Sequence, residues 1–113
     1  MYIDLTYLKD ITANDATLIK RLVDTYMEGT PKAIAKLKKA YESQQWEEVS
    51  AIAHEIQSSA GIVGNEELRL ELKSLENMAS TSPTKKSLSP LINRITEIHN
   101  ISMEEIQLSM EHI

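Results

Sequence analysis

The stretch AIAHEIQSSAGIVG, residues 51–64, sets a single histidine into a run of small and aliphatic residues. An α-helix turns about 100° per residue, so the surroundings of His54 can be plotted from the sequence. Val49, Ile52, Ile56, Ser59, Ala60 and Val63 all fall more than about 110° from His54 and define an apolar face. His54 is therefore expected on the opposite, wet face. Its neighbours there, within roughly 60°, are Glu47, Ser50, Ala51, Gln57, Ser58 and Gly61. Solvent-facing stripes ordinarily carry long Lys, Glu, Arg and Gln side chains, which favour helix. Here Ser, Ala and Gly predominate, and a glycine within a helix costs about 1 kcal/mol relative to alanine. A lane cleared around an exposed imidazole suggests that another molecule approaches it closely.

Working outward, the punctuation of helices is legible on both sides. Asn14 is a candidate N-cap, Leu18, Leu22 and Tyr26 follow at four-residue spacing, and Gly29 reads as a terminator, giving a helix over roughly 15–28. Thr30-Pro31 reads as a second start, with Ile34, Leu37 and Tyr41 as its apolar stripe and Lys32, Lys36, Lys38 and Lys39 on the wet side. ESQQW (42–46) connects to the third helix, Trp46 to Val63, which Gly64 ends. Asn65, with Glu66 and Glu67, opens a fourth whose apolar positions are Leu68, Leu72, Leu75 and Met78 or Ala79. STSPTKKSLSP (80–90) reads as a loop, and Ser89-Pro90 as the start of a last helix carrying Leu91, Ile95, Ile98, Ile101 or Ser102, Ile106 and Met110. With a short N-terminal helix around Leu5–Lys9, the expected fold is all-α: one domain over residues 1–113, an antiparallel four-helix bundle with an additional short helix.

Composition narrows the function. A formal charge of −5 argues against a general grip on nucleic acid. There is no cysteine, hence no disulfide, thiolate metal site or thiol nucleophile. No long uncharged apolar run and no signal-like N-terminus is present, which gives the expectation of a cytoplasmic protein without membrane contact. HEIQS places Ser58 where a zinc-binding H-E-x-x-H helix needs its second histidine, so no metal site is expected. Ser58 could reach His54 from one turn on, but no nucleophile elbow accompanies the pair. Glycine-rich ATP-binding motifs are also lacking, so no ATP-dependent kinase activity is expected.

Ala53-His54, Ile56, Ser59, Ala60 and Gly64 fall at the motif positions of the histidine-containing phosphotransfer (HPt) domains of two-component phosphorelays, which the chain resembles. The resemblance continues into the two preceding helices and into LRLELKSLENMA with its Leu75-Glu76 pair. The family's usual Lys three residues after the histidine is Gln57 here, and its usual Gly four residues after is Ser58. The resemblance implies that His54 takes a phosphoryl group from one receiver-domain aspartate and gives it to another. The chain would then be a phosphocarrier rather than an enzyme, with no cofactor of its own and Mg²⁺ held by the receiver. Its implied partners are response-regulator receiver domains and a hybrid sensor histidine kinase, met by a monomer through Ser50, Ala51, Gln57, Ser58 and Gly61. Two other readings stay open: an HPt-shaped adaptor that binds a receiver without carrying phosphate, and a structural bundle whose partner surface lies away from His54.

Overall fold

Residues 51–62 lie on one helix of a bundle, in a computed structural model that describes residues 1–112. Five helices occur among the described residues: α1 (Thr6–Ile11), α2 (Ala16–Glu42), α3 (Trp46–Ile62), α4 (Glu66–Ala79) and α5 (Lys85–Met110). Helices α2 to α5 form the antiparallel four-helix bundle expected from the sequence, with α3 packed between α2 and α4 and α5 closing the ring. The helix ends fix this order. The Tyr41 hydroxyl at the end of α2 donates to the Lys85 carbonyl at the start of α5, 2.8 Å away. At the other end Asn65, the N-cap of α4, donates to Ser102 Oγ of α5 at 2.7 Å.

The largest departure from expectation is α2. The segments 15–28 and 31–41 are one helix, with Gly29 and Pro31 in its interior. Its N-cap is Asp15, whose carboxylate accepts from the Leu18 N–H at 3.1 Å, while Asn14 sits in the left-handed region at φ 59°. An interior proline costs about 3 kcal/mol. Ile34 and Leu37 beyond it are almost fully buried, each gaining about 1.5–3 kcal/mol by burial, so the stripe through Tyr26, Thr30, Ile34, Leu37 and Tyr41 outweighs the breaker. The buried face of the first half is set by Ile19, Val23 and Tyr26, whereas Leu18 is exposed and Leu22 half-buried.

Similarly, α5 begins before Pro90. Thr84 caps it by accepting from the Ser87 N–H at 3.0 Å while Ser87 Oγ accepts from the Thr84 N–H at 3.1 Å, a reciprocal arrangement that lets the helix start five residues earlier than Ser89-Pro90 suggested. The ambiguous positions resolve as Ala79 and Ser102, both buried, with Met78 and Ile101 outside. Gly64 ends α3 at φ 66°. There Asp4 donates its N–H to the Val63 carbonyl at 3.0 Å, and Tyr2 and Ile3 donate to Glu105 Oε1, tying the N-terminal strap and α1 across one end of the bundle.

Candidate functional site

Helix α3 buries Val49, Ile52, Ala53, Ile56 and Ala60 against the core. The opposite side carries His54, whose side chain is 71% exposed. The outward face read from the periodicity is therefore the one observed. Ala51 and Ser58 are exposed beside it, and Ser50, Gln57 and Gly61 are half-buried on the flank that meets α4.

That flank is already engaged. Ser50 Oγ donates to the Glu76 carbonyl at 3.2 Å and lies 3.1 Å from Ser80 Oγ. Gln57 Nε2 donates to Glu76 Oε1 at 2.8 Å and to the Ala53 carbonyl at 3.3 Å. His54 Nδ1 stands 3.0 Å from Glu76 Oε2. One carboxylate on α4 thus receives both the glutamine amide and the imidazole of α3. The Gln57 amide, then the His54 ring and the charge of Lys73, hold the Glu76 carboxyl below its ordinary value. It is an acceptor at neutral pH, and an Nδ1–H on His54 is the donor that suits it. Nε2 is the ring nitrogen left without a partner on this 71% exposed side chain.

Glu76 has no local signal in the sequence. It lies on a different helix from His54, and the Leu75-Glu76 pair could be noted by resemblance without revealing what the carboxylate touches. A second missed feature is on the other flank of α3. An apolar groove of about 310 Å³ runs between α2 and α3, lined among others by Leu22, Gly29, Ala33, Ile56, Ser59 and Ile62. Its floor is low because the residues are small: a Cβ added to Gly29 would meet nothing within 4 Å. In the sequence Gly29 signals a helix end, and that signal hides its role in shaping the groove.

The profile of the Hpt domain family matches residues 21–111, from α2 to the end of α5. The chain belongs to the Hpt-domain family. Neither a curated protein nor a solved structure gave a match. Hpt domains are phosphocarriers in two-component signalling that work with receiver domains. In this Hpt domain α1 and the strap before it lie outside the matched region. No three His, Cys, Asp or Glu side chains gather to hold a metal among the described residues, and none of their helices is long and apolar enough to cross a membrane.

Proposed function

We propose that His54 carries a phosphoryl group between receiver-domain aspartates. The observation that supports this most directly is the Nδ1 contact with Glu76 at 3.0 Å on a ring that is otherwise exposed. A neutral imidazole held in this tautomer offers Nε2 as nucleophile without first losing a proton. In the forward step Nε2 bonds to phosphorus, the aspartyl O–P bond breaks, and the aspartate leaves with the electron pair. In the return step the leaving group is neutral imidazole, because Nδ1 keeps its proton facing Glu76. Phosphoryl transfer depends chiefly on positioning and charge neutralisation. The receiver supplies Mg²⁺ and its acidic pocket, and this chain supplies a rigid post.

The docking surface comprises Ala51 and Ser58 at the exposed face together with the apolar groove between α2 and α3, into which a receiver helix fits by its apolar side. Ser50, Gln57 and Gly61 border the site from the α4 side. Mixing the protein with Mg²⁺-loaded, pre-phosphorylated receivers and following acid-labile phosphate tests the reading. Label is expected on wild type and absent from His54→Gln. Tight receiver binding with no label on wild type would replace the relay by the docking adaptor.

A further inference from the structure

A dianionic phosphoryl group on Nε2 needs charge-assisted donors, and Gln57 cannot serve. Its Nε2 has two hydrogens, and Glu76 Oε1 and the Ala53 carbonyl take both. The neighbouring carboxylate makes the need greater. The register of α3 against α4 shows where a cation can enter. Ser50 meets Glu76 and Ser80, and His54 and Gln57 meet Glu76, so in this antiparallel pair the residue one turn before Glu76 lies level with Gln57 to Gly61.

That residue is Lys73. It is exposed, and none of the ion pairs among the described residues involves it. It shares with Glu76 the flank of α4 that faces α3, turned roughly 60° further from the core. Across from it Gly61 has no side chain, and a Cβ there would meet nothing within 4 Å, leaving a lane over which a four-carbon stem can lie. The other cations of α4 and its surroundings are occupied: Arg69 pairs with Glu66, and Arg94 with Glu67 and Glu71.

We propose that Lys73, reaching from α4 across the Gly61 gap, is the cation that binds the phosphoryl group on His54. The proposal rests on His54 being the phosphoryl acceptor. It places on the neighbouring helix the charge that Gln57 lacks, and it gives Gly61 a purpose. Lys73 acts through its charge alone: the N–P bond forms and the aspartyl O–P bond breaks without a proton passing through it.

Phosphoramidate loads histidine chemically, its P–N bond breaking as ammonia leaves, and so needs no receiver. Wild type, Lys73→Gln, Lys73→Arg and the double variant Lys73→Gln/Gln57→Lys would be loaded in this way and titrated by ³¹P NMR, with His54→Gln identifying the His54 resonance. A nearby ammonium favours the dianion, so the last phosphoryl deprotonation is expected about half a pH unit, or about threefold in affinity for the proton, lower in wild type and Lys73→Arg than in Lys73→Gln. The double variant is expected to recover it. The same factor of about three is expected in the equilibrium yield of phosphohistidine from a phosphorylated receiver, shrinking as salt is raised. An identical titration in wild type and Lys73→Gln overturns the proposal. Loading by phosphoramidate with no exchange to any receiver would instead sink the relay reading, with the Lys73 titration still decided.

Discussion

His54 stands on the side of α3 away from the core, so its chemistry and the stability of the bundle are separable. His54→Gln is expected to abolish phosphate acceptance while shifting unfolding free energy by less than about 0.5 kcal/mol; a large drop in melting temperature would mean that the ring supports the fold. Glu76 is different, because its carboxylate meets the ring at 3.0 Å. Replacing it by Gln keeps the side-chain volume but removes the charge that holds the proton on Nδ1. The expected result is a mixed tautomer in ¹⁵N NMR of His54 and a rate of phosphate acceptance lower by about tenfold, with circular dichroism unchanged. An undisturbed tautomer in Glu76→Gln would remove Glu76 from the mechanism. At this scale the exposure of His54 was legible, since it depends only on periodicity within one helix. Its partner was not, since the contact depends on how α3 and α4 are aligned.

Among the elements, glycine shows how far local signals reach. Gly64 signals a helix end and is one, for two physical reasons: its φ is positive, and a Cβ there would stand 1.9 Å from the Asp4 carbonyl oxygen. Gly29 gave the same signal and lies inside α2 with open space around it. The burial that carries α2 through Gly29 and Pro31 comes from the opposing helices, which no local window contains. One substitution therefore has opposite signs at the two sites. Gly29→Ala should stabilise by about 0.5–1 kcal/mol through helix propensity. Gly64→Ala should destabilise by about 2–3 kcal/mol, combining left-handed strain with loss of the Asp4 to Val63 hydrogen bond. Chemical denaturation of the two variants checks both. The larger Gly29→Leu should also fill the groove and weaken receiver binding while leaving phosphoramidate loading of His54 intact.

The molecule as a whole is built on two apolar clusters. One is centred on α3 and α4 with Leu68, Leu72 and Leu75, and the other lies at the strap end with Ile3, Leu8, Val23, Val63 and Ile106. The bundle was readable because its apolar stripes recur along every helix. The boundary between clusters was not, because it is made of residues that interrupt those stripes. Along α5, His99 and Ser102 lie between Ile98 of one cluster and Ile106 of the other, and along α2 Thr30 lies between Tyr26 and Ile34. His99 is buried with its Nδ1 unpartnered, and burial pushes its pKa down. The unfolded chain therefore binds a proton more readily than the folded one below the ordinary histidine value near 6.5. The contribution of neutral His99 to stability is complete above that pH and is lost as pH falls towards the depressed folded value. Asp4, Glu66 and Glu76 are also lowered, but these carboxylates lose their contributions only below the ordinary carboxylate range, so the two pH windows are distinct. Wild-type melting temperature should decline as pH falls below about 6.5 towards the carboxylate range. His99→Leu, which joins the two clusters through an apolar side chain and leaves no orphaned nitrogen, should flatten that decline and melt higher at the acidic end. Thermal scans of both proteins across this window decide the matter, since parallel declines would place the acid sensitivity elsewhere in the bundle.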